Sequence, residues 1–465
     1  MLDLLVLSLT LASEPVQRTG PNIVLLFADD LGLGDLRVYN AESRIPTPHM
    51  DAIAHAGLRC SDAHSASAVC TPSRYALLTG EYAWRTNLKK WVLGGSSQAL
   101  IPRGTQTLPT VLKAAGYTTL GVGKWHLGVG DDDPVDWSKP FAHGPCDLGF
   151  DHWQGIPASL DMAPYVWMVD DRLQTQPTAR TEGSKHRRGG GGGFWRAGGI
   201  APDLEIADIL PRTITVACDW IAEYSGDDAP FFLYVPFSAP HTPWLPAVSA
   251  QGASQAGWYG DFVVDVDRGI GRIDAALHAA GIADDTIVIV TSDNGAHWPV
   301  TDVERFGHLA NGHRRGQKAD IHEGGHRVPF IVRWPGYVPA SVTSEVPFCL
   351  VDLLPTLAAA VHLELPAGAA PDGRIVNLLD ASPAERSIVH HSGDGMFALR
   401  LGRWKLIEGL GSGGFTAPRR VNTDGGQVQL YDLRRDPTES HNVARGNPAV
   451  VLRMLDELNR IRRDD

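Results

Sequence analysis

The sequence predicts an α/β fold in which a mostly parallel sheet lies between helices. Short strand-like runs alternate with helical patterns along most of the 465 residues, which is typical of parallel sheets covered by helices. The runs are apolar almost throughout, as are strands buried on both faces. After residue 375 the pattern changes, and it indicates a smaller antiparallel sheet followed by a closing helix.

The strand candidates of the larger sheet are residues 22–28, 118–123, 231–237, 286–292 and 327–334. Helical patterns between them include residues 108–115 and 259–280. Gly116 and Gly281 follow these two helices, at the position where helix ends favour glycine. The strands and the helix predicted after residue 375 are residues 396–409, 428–436 and 447–465.

The composition argues for a globular protein that does not bind nucleic acid in general. Apolar residues are 43% and charged residues 20% of the chain, a balance typical of soluble domains. Lys plus Arg number 41 and Asp plus Glu 53, so the net charge is −12. General nucleic-acid binders usually carry a basic surplus instead. An anionic substrate would therefore need a local basic cluster to attract it.

The N-terminal segment and the cysteines bear on location. The apolar run LLVLSLTLA lies near the start of the chain, and it is shorter than the roughly 20 residues a transmembrane helix needs. We therefore expect no transmembrane anchor. Residues 1–19 form a candidate signal segment, although Asp3 precedes the first basic residue, Arg18. This favours a periplasmic, secreted or lumenal protein, and a cytoplasmic one stays open. The cysteines are too few for a disulfide scaffold: Cys60, Cys70, Cys146, Cys218 and Cys349.

Polar residues follow four of the predicted strands. Asp29-Asp30 follow the first, Lys124-Trp125-His126 the second, His241 closes a short segment after the third, and Asp293-Asn294 follow the fourth. The carboxyl ends of parallel strands lie along one edge, where ligands bind. Each group alone is also typical of a turn or a cap. Together they predict one site with carboxylates, an amide, a lysine and two histidines.

The candidate metal ligands are Asp29, Asp30, Asp293 and Asn294. All four offer oxygen donors, which Ca²⁺ and Mg²⁺ prefer. Neighbouring strand residues face opposite sides, so the first two reach one ion only if the strand breaks there. Gly32 and Gly34 make such a break feasible. The alternative is that these are turn residues.

Residues 70–80, CTPSRYALLTG, predict the start of a helix. Proline suits the first turn, and Thr71 would cap it. Cys70 would then lie at the positive end of the helix dipole, which favours a thiolate or a bound anion. Arg74, about one turn further on, would offer a planar donor fork to an oxyanion. The alternative is a buried structural cysteine.

The segment CTPSR followed by YALLTG resembles the signature of the type I sulfatases, which belong to the alkaline phosphatase superfamily. Further segments resemble the family in the same order: FADDLG (27–32), GKWHLG (123–128), GFDHW (149–153), APHTP (239–243), SDNG (292–295), EGGHRVP (323–329) and LYDLRRDPTE (430–439). The resemblance implies an alkaline-phosphatase-like fold. It also implies a catalytic sulfatase domain over residues 20–375 and a C-terminal subdomain over residues 376–465.

The resemblance implies the role of each candidate residue. Cys70 matches the cysteine that a formylglycine-generating enzyme oxidises to formylglycine, an aldehyde that acts as its hydrate. The ligands of Ca²⁺ are matched by Asp29, Asp30, Asp293 and Asn294. The basic residues around the sulfate are matched by Arg74, Lys124, His126, His241 and Lys318. Ser159 resembles a serine that hydrogen-bonds sulfate.

The implied reaction is hydrolysis of a sulfate ester of a small molecule or glycan. Asp293 resembles the group that takes the proton of the attacking hydroxyl. His241, with Lys318, would protonate the departing oxygen, and His126 would act as the base that restores the aldehyde.

Three other interpretations stay open. A phosphonate or phosphate ester hydrolase of the same superfamily shares the C-x-P-x-R signature. A catalytically inactive relative would bind anionic glycans, and a cysteine hydrolase would use unmodified Cys70. The glycine-rich insertion 183–199 is interpreted as a surface loop, with a lid over an anionic substrate as the alternative.

Overall fold

A ten-stranded mixed sheet and a separate four-stranded sheet organise the computed structural model, which describes residues 20–185, 193–420 and 427–463. The strands are β1 (Asn22–Ala28), β2 (Leu58–Cys60), β3 (Ala63–His64), β4 (Thr118–Lys124), β5 (His152–Ile156), β6 (Met168–Val169), β7 (Arg172–Leu173), β8 (Ala179–Thr181), β9 (Ser184–Lys185), β10 (Phe194–Trp195), β11 (Gly198–Ile200), β12 (Phe231–Pro236), β13 (Thr286–Ser292), β14 (Phe330–Arg333), β15 (Val342–Ser344), β16 (Phe348–Cys349), β17 (Ser387–His391), β18 (Phe397–Leu401), β19 (Trp404–Glu408) and β20 (Val428–Asp432). The helices are α1 (Pro48–His55), α2 (Cys70–Thr79), α3 (Leu108–Ala114), α4 (Ile209–Tyr224), α5 (Gly257–Ala279), α6 (Val300–Phe306), α7 (Glu323–His326), α8 (Leu353–Ala360) and α9 (Pro448–Arg463).

The larger sheet has the strand order β15-β2-β14-β13-β1-β12-β4-β5-β6-β7. Its centre is parallel, because β1 pairs with β13 and β12, and β4 pairs with β12 and β5, all in parallel register. Every residue of β1, β12 and β13 is buried. The predicted α/β class with a mostly parallel sheet is therefore confirmed. The strand predicted over 327–334 exists as β14, but it runs antiparallel to β13.

Helices cover the sheet in two groups. One group contains α1, α4 and α5, which pack on each other, and the other contains α2, α3 and α8. The predicted helix ends are confirmed, because Gly116 and Gly281 adopt left-handed φ angles of 89° and 71° just after α3 and α5. In the described part of the chain, no helix combines the length and the apolar character needed to cross a bilayer.

The four-stranded sheet has the order β17-β18-β19-β20, and all of its pairs are antiparallel. Helix α9 packs on β18 and β19. The residues at the centre of this packing are Leu399, Leu406, Leu430, Met454 and Leu458. The predicted smaller antiparallel sheet and closing helix are therefore confirmed, whereas β17 was not predicted. The division of the chain at residue 376 stays a prediction.

Two expectations fall partly or wholly on residues without a described structure. The candidate signal segment 1–19 lies outside the described residues, and so does the middle of the glycine-rich insertion, residues 186–192. All five cysteines lie within the described residues, and none of them forms a disulfide.

A buried ion cluster joins the smaller sheet to the larger one. Lys405 on β19 is fully buried, and its Nζ lies 3.1 Å from Glu323 Oε1 and 2.8 Å from Glu439 Oε1. Two carboxylates therefore share one ammonium group. Breaking such an arrangement leaves an uncompensated buried charge, so the cluster fixes how the two sheets dock.

A chain of hydrogen bonds runs from this lysine through two buried histidines. Lys405 Nζ lies 3.0 Å from His326 Nε2, His326 Nδ1 lies 3.1 Å from His64 Nδ1, and His64 Nε2 lies 2.8 Å from Asp62 Oδ1. With both histidines neutral, each ring nitrogen finds a partner of the right kind. The ring of His390 stacks on His326 with centroids 3.8 Å apart. Burial lowers the pKa of His64 to about 3, against the opposing charge of Glu323.

Acid is expected to weaken the fold through His64. Its pKa is lowered in the folded state, so the unfolded chain binds one more proton below the ordinary histidine value of about 6.5. Stability should therefore fall as the pH drops from about 6.5 towards 4, by about 1.4 kcal/mol per pH unit for this residue. Urea unfolding of His64→Gln at several pH values measures this, and the free energy of unfolding should fall less steeply with falling pH, by that amount per pH unit.

The control for this measurement is His278→Gln. The side chain of His278 is 61% exposed, so its replacement should leave the pH dependence of unfolding unchanged. If the free energy of unfolding of His64→Gln depended on pH as steeply as that of the wild-type protein, His64 would not take up a proton on unfolding.

Candidate active site

The strand ends of the larger sheet bring the predicted metal ligands together. Ala28 at the end of β1 lies opposite Ser292 at the end of β13, so Asp29 and Asp293 begin their loops side by side. The Asp30 backbone N–H donates to Asp293 Oδ1 at 3.1 Å. Asn294 Nδ2 donates to Asp30 Oδ1 at 2.7 Å. The four oxygen-bearing side chains therefore form one cluster.

The break after β1 lets both aspartates face this cluster. Asp30 has a left-handed φ of 68°, which reverses the alternation of a strand. Gly32 and Gly34 then pass very close to a neighbouring loop. A Cβ atom would lie 2.1 Å from Ala310 O at the first position and 2.0 Å from Leu309 O at the second. The glycines are thus required by close approach of two backbones.

Three cations neutralise the three carboxylates of the cluster. Lys124 Nζ lies 2.7 Å from Asp29 Oδ2, and Lys318 Nζ lies 2.9 Å from Asp30 Oδ2. Arg74 Nη2 donates to Asp293 Oδ2 at 2.8 Å. The formal charges of these six buried groups sum to zero. The planar fork of Arg74 is therefore directed at Asp293 in this structure.

The carboxyl groups differ in pKa. Burial disfavours ionisation of Asp29, but the attraction of Lys124, His241 and Arg74 outweighs it and lowers the pKa. At Asp30, burial again raises the pKa, but the attraction of nearby cations, mainly Lys318, outweighs it and lowers the pKa. Burial and the charge of Asp29 raise the pKa of Asp293 above its ordinary value.

Cys70 is the first residue of α2 and lies at the cluster, as a helix start at this segment predicts. Its Sγ lies 3.5 Å from Asp29 Oδ1 and 3.5 Å from Lys318 Nζ. Burial raises the pKa of the thiol to about 12, although two lysines oppose this. A helix start favours a thiolate or a bound anion, and burial works against the thiolate at this position, so the role of Cys70 stays a prediction. The expected cap at Thr71 is wrong, since its hydroxyl donates to His126 O at 3.0 Å.

Two histidines and a serine complete the cluster. His126 Nε2 lies 2.9 Å from Leu93 O, whereas its buried Nδ1 has no hydrogen-bond partner among the described residues. Burial and the charge of Lys124 lower the pKa of His126, so the ring is neutral. Ser159 Oγ lies 3.1 Å from Lys124 Nζ and 3.2 Å from His241 Nδ1.

The cluster contains a group that can hold a metal ion. Ligand atoms of Asp29, Asp30, Cys70 and His241 all lie within 4.8 Å of one another. Asn294 Oδ1 is buried without a hydrogen-bond partner in the described structure. An unsatisfied buried oxygen is costly, and a cation that accepts oxygen ligands would satisfy it. The oxygen donors of Asp29, Asp30 and Asn294 fit a hard cation such as Ca²⁺, whereas the sulfur of Cys70 and the ring nitrogen of His241 are not donors that such a cation prefers.

A cleft of about 560 Å³ leads to Cys70, Lys318 and both histidines. Its aromatic lining residues are Trp91, Phe194, Trp244, Tyr259, His297 and Phe415. The sequence does not predict these residues as a set, because they come from segments that are far apart in the chain. The described C-terminal end of the glycine-rich insertion belongs to this wall, because Phe194 and Arg196 both line the cleft.

The chain matches known sulfatases over nearly all of its length. The family model described as Sulfatase matches residues 21–363. An N-acetylgalactosamine-6-O-sulfatase of Bacteroides thetaiotaomicron is 34% identical, over 94% of this chain and 92% of the relative. Arylsulfatase A of Homo sapiens is 32% identical, over 98% of this chain and 89% of the relative.

Solved structures agree with this match. A 6S-sulfatase structure described with the metabolism of multiple glycosaminoglycans by Bacteroides thetaiotaomicron superposes with a TM-score of 0.86 and 32% identity. The match covers 95% of this chain and 99% of that chain. With the signature at Cys70 and the parallel sheet that presents it, these similarities establish that the chain belongs to the sulfatase family and is a sulfuric ester hydrolase.

Proposed function

We propose that this sulfatase cleaves the sulfate ester of a sugar, using formylglycine at position 70 and a calcium ion at the edge of the larger sheet. The observation that carries the proposal is the position of Cys70, which begins α2 at the cleft with its Sγ 3.5 Å from Lys318 Nζ. The similarity to an N-acetylgalactosamine-6-O-sulfatase supports the substrate class.

Asp29, Asp30, Asp293 and Asn294 would hold the calcium ion. When bound, Ca²⁺ would supply positive charge that stabilises the sulfuryl oxygens. The carboxylates and the three neighbouring cations sum to zero, so a bound Ca²⁺ would leave a charge of +2 to attract a sulfate monoester. The side chains of Arg74, Lys124 and Lys318 would then orient the sulfate oxygens.

The neutral thiol of Cys70 supports modification at this position. A protonated thiol is a poor nucleophile, so an unmodified cysteine hydrolase fits the site badly. Oxidation of Cys70 by a formylglycine-generating enzyme would supply an aldehyde whose hydrate carries two hydroxyl groups. Asp293, which lies beside Arg74 and Asp30, would accept the proton of the attacking hydroxyl.

His241 would protonate the departing sugar oxygen. Its Nδ1 lies 2.6 Å from Thr242 O and therefore carries a hydrogen. Its Nε2 faces the cluster, 3.8 Å from Asp30 Oδ2, and this nitrogen would deliver the proton to the departing oxygen. Lys318, whose Nζ donates a hydrogen bond to Asp30, would assist by stabilising negative charge on the same departing oxygen.

His126 would act as the base that completes turnover. The hydrogen bond from Nε2 to Leu93 O assigns the ring hydrogen to that nitrogen. Nδ1 then carries a lone pair with no partner among the described residues. Because the ring is neutral, this nitrogen is ready to take a proton as sulfate leaves.

Formylglycine is expected at position 70 of active protein. The reason is the position of the neutral thiol beside Lys318 and Asp29 at the start of α2. Mass spectrometry of the peptide that contains Cys70 should show aldehyde oxygen in place of sulfur. Cys70→Ala, which has no thiol or hydroxyl group to oxidise to the aldehyde, should lose turnover. Full activity with an intact thiol would contradict the assignment.

One calcium ion per chain is expected, and Asp30→Asn should weaken its binding by at least about 100-fold. The change removes a ligand charge and leaves Lys318 without its carboxylate. Metal content after dialysis and the rise in Tm on adding CaCl₂ measure this without turnover. Asp267→Asn is the matched control, since Asp267 is also buried but does not belong to the cluster. It accepts a hydrogen bond of 2.8 Å from the Met50 N–H. Equal calcium content in both variants would refute the ligand assignment.

Sulfated sugars should be hydrolysed faster than the matching phosphate and phosphonate esters. A phosphate dianion should bind well to a site of charge +2. Turnover, however, also requires the anion to leave, and sulfate leaves more readily than a phosphate dianion. Measured kcat/KM values for 6-sulfated N-acetylgalactosamine and for aryl sulfate, phosphate and phosphonate esters test this. A preference for the phosphorus esters would favour a phosphoesterase instead.

A further inference from the structure

We infer that Trp91 and Phe415 form an aromatic platform that binds the sugar ring carrying the reacting sulfate, and that they determine substrate specificity. The inference rests on the proposed function and adds the residues that would select the leaving group. Both side chains line the cleft that contains Cys70 and Lys318. Neither belongs to the charge cluster that performs the chemistry.

The platform is built from rings that meet across three distant segments. The centroids of Trp91 and Phe415 lie 5.5 Å apart with the rings tilted by 33°. The ring of His297 also contacts Phe415, with centroids 5.0 Å apart. Phe415 is 41% exposed although it is a large apolar side chain. An exposed aromatic surface inside a cleft marks a ligand contact rather than a core.

The backbone around the platform is fixed against the catalytic lysine. Trp91 has a left-handed φ of 56°, which is unusual for a bulky residue and is typically tolerated at functional sites. Its N–H donates to Gly393 O at 2.8 Å, and the Gly393 N–H donates to Ala319 O at 2.9 Å. A Cβ at Gly414 would lie 2.3 Å from the Ala319 backbone. Both rings are therefore held beside the residue that follows Lys318.

Polar groups form the remaining rim of the same cleft. Gln317, Thr242 and the ion pair between Arg196 and Asp161 all line it. The Arg196 N–H also donates to Asp161 O at 3.1 Å, which fixes this side of the rim. A pyranose ring has an apolar face and an edge of hydroxyl groups. It therefore matches a cleft with an aromatic wall and a polar rim, whereas a short alkyl group such as propyl has neither a ring face to stack on the wall nor hydroxyl groups for the rim.

A surface aromatic pair elsewhere provides the matched control. Tyr337 is 66% exposed and stacks on Trp334 with centroids 4.1 Å apart. Neither residue lines the cleft. Tyr337→Ala therefore removes an exposed stacked ring without touching the cleft, and it separates a general effect on stability from an effect on the substrate.

The test compares binding and turnover in Phe415→Ala, Trp91→Ala, Phe415→Tyr and Tyr337→Ala. Calorimetric titration with 6-sulfated N-acetylgalactosamine, on chains that also carry Cys70→Ala, measures binding without turnover. We expect the two platform alanine variants to weaken binding by about tenfold, and Phe415→Tyr and Tyr337→Ala by less than about twofold. In the active enzyme the same alanine variants should raise KM for the sugar and leave kcat/KM for propyl sulfate, which has no ring, nearly unchanged.

The outcomes separate this inference from the proposed function. Unchanged sugar binding in Phe415→Ala and Trp91→Ala would overturn the platform, and so would equal losses on the sugar and on propyl sulfate. Sugar binding that depends on the platform in a protein that hydrolyses no sulfate ester would support the platform and overturn the proposed chemistry. Unchanged kcat/KM for propyl sulfate in the two alanine variants excludes loss of folding as the cause, and retained binding in Phe415→Tyr shows that an aromatic ring at this position is sufficient.

Discussion

The active centre depends on the mutual neutralisation of three carboxylates and three cations within one buried cluster. Each carboxylate alone would be expensive to bury, and each is paired with a different cation at 2.7–2.9 Å. The pairs are supplied by strand ends, by α2 and by the loop before α7. Because each partner comes from a separate segment, the charges can meet only if the sheet order and register are correct. The same pairing therefore organises both the fold and the groups to which we assign the chemistry.

The order of titration within the cluster follows from burial and pairing. Asp29 and Asp30 have lowered pKa values because cations outweigh the loss of solvent, whereas the pKa of Asp293 is raised by burial and by Asp29. A carboxylate that is easier to protonate suits the acceptor of a proton. The thiol of Cys70 is harder to ionise than in water, which is consistent with the proposed modification of this residue.

Local rules predict the centre of this molecule well. Apolar runs predict β1, β4, β12 and β13, and the rule that parallel strands end at one edge places Asp29 and Asp293 near each other. The sequence gives no comparable signal for Trp91 or Phe415, because their positions depend on loops and on the docking of two sheets. Thr71 does not cap α2 for a related reason. Its hydroxyl group donates instead to the backbone carbonyl of His126, which is far from it in the sequence.

Phe415 comes from the C-terminal part of the chain, whereas the charge cluster comes from the larger sheet. Under the proposed roles, the chemistry and the choice of leaving group would be encoded in separate stretches of sequence, joined by the buried Lys405 and its two glutamates. Substitutions near Phe415 would then alter which esters bind without changing the groups proposed to cleave them. Such an arrangement would allow the range of sulfated substrates to change through substitutions in the cleft wall, while the buried charge cluster stays the same.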